Sequence, residues 1–387
     1  MEMDYQYVDT DEKMKALLES LASAKIVAID TEADSLHHYY EKVCLIQMTF
    51  DGQNFIVDPL ADINLDGFLD ILSGKDIIIH DAGYDLRMMW SSFGFKLDGN
   101  LLDTMLAAQL LGYQYLGLAA MLERFFDIRI SKIGQRWDWS ERPLPARKIE
   151  YAICDTYHLT ELVAILTGKL EKLGRLEWHK ESCARLVDAA IQDKPDADPD
   201  KVWRIKGARH LDPLTLTILK NIWYWRDSQA KEADLPPFKI MINASMIALA
   251  GWSAGNPKKS LRSGPRLPRN CLGRRMKLLQ NTIDDAHKLP KSKWQQHPKQ
   301  PRGKRPSATA QQIAESIKED CLDIATRLEL APQIIAPRAA INAIANHRPK
   351  SIEEIVECSG LMVWQSELIE DAVKKAIAKY HPKKKKS

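Results

Sequence analysis

The chain has 387 residues, 45% hydrophobic and 28% charged, a normal globular composition but too long for one ordinary core, so two or three domains are expected. The longest apolar run, around Ile240 to Trp252, is broken by Asn243 and Ser245 and falls short of the roughly 20 residues of a membrane span. MEMDYQYVDTDEK lacks the features of a secretory leader, and the six cysteines form no CxxC or Cys/His cluster, which argues against zinc and a disulfide framework and fits a reducing cytoplasm.

Taken in order, Ile26–Asp30 (IVAID) reads as a short buried strand. Val43–Phe50 and Asn54–Asp58 bracket Asp51-Gly52, a turn dipeptide, and predict a hairpin. A short helix follows over Leu65–Leu72, a strand over Asp76–His80 (DIIIH), and a helix from about Ala82 to Phe93. Leu101–Asp103 is a fifth candidate strand. Helices are then expected at Thr104–Leu111, Gly117–Phe126 and, as one long element, from Pro145 to about Leu166. Strands that begin as a hairpin and then alternate with helices imply an α/β domain with a mixed sheet covered by helices.

Residues 171–200 read as a helical connector ending in a polar, proline-bearing linker, KPDADPD. Beyond Lys201 the pattern is all-α. Asp212-Pro213 opens a strong helix to Ala233, as N-cap and first helical residue, with Leu216, Leu219, Ile222 and Trp223 at helical spacing. Further helices are expected at Ile242–Ala250 and Arg274–His287. A helical block from Ser307 to about Lys379 precedes a basic tail, Lys383–Lys386.

The net charge of +3 conceals an asymmetry: residues 1–200 hold 20 Lys+Arg against 35 Asp+Glu, and the remainder 35 against 17. An acidic half suited to cations joins a basic half suited to a polyanion. Asp30 and Glu32 sit two apart at the end of a buried strand with no local basic partner, so alternation sends both to one side. Such a pair repels unless a cation lies between. Asp85 falls in the first turn of the helix after DIIIH, and Asp81 nearby competes with it for any functional role. Tyr151 and Asp155 lie four apart on one helical face, where a phenol beside a carboxylate can orient water.

Each signal is weak alone, but their order is specific. IVAIDTEADS, IIIHDAGYDLRMM and IEYAICDTYHLTEL resemble the three motifs of the DEDD 3′→5′ exonucleases, in the subgroup with tyrosine in the third motif. Leu102-Asp103-Thr104 and QRWDWSERPL are similar to the ribonuclease D branch. WRIKGARHLDP and WRDSQAKEADLP resemble the HRDC domain, a helical nucleic-acid-binding module, and IIAPRAAINAI resembles the second helical domain of ribonuclease D.

The resemblance implies a ribonuclease-H-like exonuclease domain at 1–170, the connector at 171–200, an HRDC domain at 201–290, a basic linker at 291–306, a second HRDC-like domain at 307–380 and a tail at 381–387. It implies two Mg²⁺ or Mn²⁺ ions, about 4 Å apart, that clamp the scissile phosphate. Asp30 would bridge both, Glu32 and Asp155 would complete the water-activating site, Asp85 would hold the second through water, and Tyr151 would orient the nucleophile. Hard oxygen donors suit these ions.

The substrate implied is the 3′ end of an RNA such as a tRNA precursor, digested to nucleoside 5′-monophosphates by a monomer. The same chemistry would serve a DNA exonuclease, and a noncatalytic RNA-binding protein is the further alternative. His80, Arg136, Trp137, Arg204, Lys206 and Arg209 are candidate nucleic-acid contacts. Arg136, Arg142, Trp137 and Trp139 either grip single-stranded nucleic acid or pack their loop on the sheet.

Overall fold

The computed structural model describes residues 4–130, 133–192, 198–297 and 306–380. The first region is a six-stranded mixed sheet. Its strands are β1 (Gln6–Val8), β2 (Ile26–Ala33), β3 (Val43–Phe50), β4 (Gln53–Val57), β5 (Asp76–Ile79) and β6 (Leu101–Asp103), in the order β1-β4-β3-β2-β5-β6. The expected hairpin is β3–β4, and Asp51 and Gly52 both take positive φ (47° and 75°) at its turn. β2 lies at the switch point, antiparallel to β3 and parallel to β5.

Alternation along β2 divides its residues. Val27 and Ile29 enter the main core with α1 (Asp11–Ser23), α2 (Asp66–Ser73) and α3 (Gly83–Phe93). Ala28 faces a second cluster formed by α4 (Thr104–Leu110), α5 (Leu118–Phe126) and α7 (Leu159–Lys172). β1 and α1 are absent from the sequence reading. Thr10 caps α1 by accepting from the Lys13 N–H, and Asp11 and Glu12 occupy its first turn, so a capping signal was present.

The long helix expected from Pro145 is two helices, α6 (Ala146–Tyr157) and α7, broken at His158. Its period was right and its continuity wrong. α6 crosses β2, β3 and β4 while α7 packs on α4 and β5, so the chain must turn between them. The His158 ring stacks on Phe126 at the corner, centroids 5.4 Å apart. Residues expected as a connector include α8 (Leu176–Ala190), which packs on α3, α4 and β6 and places Cys183 and Ala190 in the main core.

Two helical units follow. The first has α9 (Pro213–Ala233), α10 (Pro237–Ile240), α11 (Asn243–Gly255) and α12 (Arg274–Lys288) around Trp203, Leu216, Leu219 and Ile222. Asp212 caps α9 by accepting from the Leu214 and Thr215 N–H groups, as its Asp-Pro start predicts. The second has α13 (Ala308–Leu328), α14 (Pro332–Ile335), α15 (Arg338–His347), α16 (Ile352–Ser359) and α17 (Val363–Lys379). Among the described residues, no helix is long and apolar enough to cross a membrane. The Lys383–Lys386 tail lies outside the described residues.

Both helical units touch the sheet domain. Tyr39, in the loop after β2, donates through its hydroxyl to Asp227 (2.8 Å), and Asp234 accepts from the Tyr39 N–H (3.0 Å) and from His38 Nδ1 (2.6 Å). On another side Trp178 of α8 stacks on Trp364 of α17, centroids 4.7 Å apart. Glu181 accepts the free N–H groups of Val363 (2.6 Å) and Trp364 (3.2 Å) at the start of α17.

Arg142 resolves the two readings of its loop. Nε and Nη2 bond the two oxygens of buried Asp58 at 2.6 Å each, Nη2 also reaches the Cys44 carbonyl, and Nη1 that of Trp139. Trp139 is 1% exposed. These two residues therefore fasten the loop to β3 and β4 and do not grip a strand of nucleic acid. Arg142→Met leaves the Asp58 carboxylate buried without its cation, and should cost about 3–5 kcal/mol of stability in a urea titration; a loss below about 1 kcal/mol contradicts this account.

Candidate active site

The end of β2 carries Asp30 and Glu32 on the face covered by α6. Asp155, from the last turn of α6, reaches the same point. Ligand oxygens of Asp30, Glu32 and Asp155 all lie within 4.8 Å of one another. Antiparallel register sets Asp30 opposite Gln47 of β3, and the Gln47 amide donates to Asp30 Oδ2 at 2.9 Å.

Asp85, in the first turn of α3, is 6% exposed and stands outside this tight group. Its Oδ1 accepts from the Thr31 N–H (3.0 Å) and the Thr31 hydroxyl (2.5 Å). The residue between Asp30 and Glu32 thus points to the opposite face and ties α3 to the strand. Asp81, its competitor in the sequence, has positive φ (65°) and borders Asp103 instead.

The four acids disturb one another. Burial, then the charges of Asp85, Asp155 and Glu32, hold the Asp30 carboxyl well above the usual range. Burial, then Asp155 and Asp85, do the same for Glu32, opposed by the Lys148 ammonium. Burial lifts Asp85 to about 6 in spite of its Thr31 hydrogen bonds, and burial followed by Asp85 lifts Asp155 to about 7. Anionic oxygens this close need positive charge between them to remain ionised at neutral pH. The donor set, three carboxylates with neither His nor Cys, fits a hard divalent cation.

Tyr151 stands one turn before Asp155 on α6. Burial, then Asp155, Glu32 and Asp30, raise its phenol, which stays protonated at neutral pH. Trp137 meets the ring edge-on at 5.5 Å, and Trp139 is tilted against it at 6.1 Å. A Cβ on Gly134 would sit 2.6 Å from that ring, so glycine lets the turn Ile133–Arg136 close over Tyr151.

Sequence reasoning missed Lys148. It lies on the same α6, is 2% exposed, donates to the Asp138 carbonyl and reaches Glu141 at 2.9 Å. Its ammonium therefore clamps the tryptophan loop while acting electrostatically on Glu32. The one available signal was a lysine three residues before the motif tyrosine, on the helical face that also carries Asp155.

The remaining candidates disperse. His80 Nδ1 is hydrogen-bonded to the Thr104 hydroxyl at 2.8 Å, and burial lowers its imidazole to about 4. The Arg136 side chain is exposed, and its carbonyl accepts from His37 Nε2 at 3.0 Å. Trp137 is half-buried, with the Arg147 guanidinium over its ring. Arg204 lies over the Trp203 ring at 4.4 Å, and Arg209 lines the same cavity of about 540 Å³ in the first helical unit. Lys206 is exposed beside them.

The chain is similar in sequence and in fold to known proteins. A family model described as 3′-5′ exonuclease matches residues 5–171. Ribonuclease D of Escherichia coli is 27% identical over 388 residues, covering 98% of this chain and 100% of its own. Its crystal structure superposes with a TM-score of 0.66 at 24% identity, covering 98% of this chain and all of that one, a likeness of fold. Ribonuclease D of Nitrobacter hamburgensis is 28% identical over 67% of this chain and 68% of its own. A crystal structure of a protein from Bifidobacterium adolescentis has a TM-score of 0.81 at 25% identity, covering 96% and 97%.

The sheet order, the strand-end acids and the helix-borne Tyr-Asp pair define a 3′→5′ exonuclease. Within that class the chain resembles ribonuclease D, to which it is similar over nearly its whole length.

The raised carboxyls fix a pH dependence. Between the ordinary aspartate value and about 7, the folded chain binds more protons than the unfolded chain at Asp85 and Asp155. Stability of chelator-treated protein should therefore fall as pH rises from about 4 to about 7. Added Mg²⁺ or Mn²⁺ should raise the melting temperature more at pH 8 than at pH 5.5, because ionised ligands are required. Thermal scans with chelator and with metal at both pH values check this; equal metal-induced rises would contradict it.

Proposed function

We propose that the chain is a divalent-metal-dependent 3′→5′ exoribonuclease that trims the 3′ ends of structured RNAs, tRNA precursors among them, to nucleoside 5′-monophosphates. The observation that carries this reading is the convergence of Asp30, Glu32 and Asp155 within 4.8 Å. The kinship with proteins named ribonuclease D favours RNA over DNA. The enzyme is taken to act as a cytoplasmic monomer, with an exonuclease domain at 1–170 and HRDC-like units at 201–290 and 307–380.

In this reading Asp30, Glu32 and Asp155 would hold two Mg²⁺ or Mn²⁺ ions, with Asp85 serving the second through water. Such ions, when bound, would supply a nucleophile at neutral pH and polarise the scissile phosphate. Gln47 keeps one Asp30 oxygen in place, and Thr31 does so for Asp85. Rigid carboxylates lose little freedom on binding, which keeps the reacting phosphate in register. Tyr151 stays neutral and so can donate one hydrogen bond to the attacking water, and Trp137 and Trp139 fix its ring. Trp137 and Arg136 at the mouth, with His80, contact the terminal nucleotides. Arg204, Lys206 and Arg209 contact phosphates farther along.

Matched RNA and DNA oligonucleotides with free 3′ ends test the assignment. RNA should be shortened one nucleotide at a time in the presence of Mg²⁺ or Mn²⁺ only; digestion of DNA alone would defeat the substrate reading. Asp30→Asn should abolish hydrolysis, keep RNA binding and leave the circular dichroism spectrum unchanged. Tyr151→Phe should lower kcat by about 10²-fold with little change in KM.

A further inference from the structure

Between Asp234 and Asp284 the chain has no acidic residue in 49 positions and nine Lys or Arg. At the chain's average acid content about six or seven would stand there. The fold gathers several of these cations at one place. Asn270 donates from its amide to the Lys239 carbonyl at 2.8 Å, and Arg275 Nη1 donates to the Asn270 carbonyl at 3.3 Å. Lys239 of α10, Arg269 and the start of α12, with Arg274 and Arg275, are therefore neighbours. Arg266, Arg269 and Arg274 are exposed and, among the described residues, none has a carboxylate partner.

This group is joined to the mouth of the carboxylate site. Lys239 Nζ donates to His37 Nδ1 at 3.3 Å, and His37 Nε2 donates to the Arg136 carbonyl at 3.0 Å. Arg136 precedes Trp137, which lies against Tyr151. A continuous set of contacts thus runs from the attacking-water residue, across the junction between the sheet domain and the first helical unit, to a field of unpaired guanidinium groups. The 204–209 cluster, by contrast, sits around a separate cavity lined by Trp203 and His297.

We propose that Lys239, Arg266, Arg269, Arg274 and Arg275 form a phosphate-tracking strip that holds the RNA segment entering the active site, upstream of the 3′ end. It rests on the exoribonuclease reading and adds which face of the helical unit carries the backbone. Guanidinium groups suit this task because their fork bonds two phosphate oxygens at once. Exposed cations in water gain affinity chiefly by releasing counterions, so the strip has a salt signature. On this placement a trinucleotide is expected to fill the carboxylate mouth alone.

The test compares the full chain with an Arg266→Gln, Arg269→Gln, Arg274→Gln variant on a trinucleotide and on a stem-loop RNA with a single-stranded 3′ extension. On the long RNA, KM should rise about tenfold or more with kcat unchanged, and the slope of log KM against log salt should fall by about two to three, roughly one for each phosphate that the variant no longer neutralises. On the trinucleotide both constants should match those of the parent. Equal KM and salt slope on the long RNA would overturn the strip while leaving the exonuclease reading intact. An equal loss on both substrates would overturn it as well, by showing a defect at the carboxylate mouth. Failure of the parent to shorten either RNA would instead remove the functional reading on which the strip rests.

Discussion

Mutual repulsion among four clustered carboxylates, Asp85 buried and Asp30, Glu32 and Asp155 half-buried, is the constraint around which this chain is built. Asp30, Glu32 and Asp155 meet within 4.8 Å, and the charge of Asp85 acts on both Asp30 and Asp155. A fold that relaxed this repulsion would splay the strand end or draw in arginines. Here Asp30 is held by the neutral amide of Gln47 and Asp85 by both polar groups of Thr31, and the buried ammonium of Lys148 acts on Glu32. The unspent negative potential is available for a divalent cation, and much of the scaffold serves to keep the oxygens from moving apart.

The switch point of the sheet makes that possible. β2 is antiparallel to β3 on one side and parallel to β5 on the other, so its end is bordered by a side chain of β3, by α3 and by α6. Loop 137–142 then closes over α6. Arg142 on Asp58 anchors its far end, Lys148 grips its middle, and its two tryptophans immobilise Tyr151. Interactions that look like stability devices therefore set the orientation of the phenol.

The helical units are fixed to this centre by different chemistry. The first is joined through polar contacts of His37, His38 and Tyr39, in the loop that leaves β2. The second is joined through an indole stack and a capped helix start. The loop after β2 is thus shared between the carboxylate-bearing strand and the first helical unit.

The sequence by itself determined the elements whose signal is local. The β3–β4 hairpin followed from Asp51-Gly52 between apolar runs, the start of α9 from Asp212-Pro213, and the candidate acids from their place at strand and helix ends. The order of these acids, with Tyr151, was enough to name a family. Tertiary structure alone decided the rest, because the deciding partners are distant in the chain. Arg142 and Trp139 became anchors only when Asp58, 84 residues before Arg142, was brought beside them. The predicted long helix broke at His158 because two packing directions met there. Lys148 gave only a faint signal in the sequence, since a lysine on a helix is ordinarily solvated, and its burial against Asp138 and Glu141 reveals its place. Local propensity and periodicity report what a segment can form; which charges end up facing one another is set by long-range packing, and no local pattern carries it.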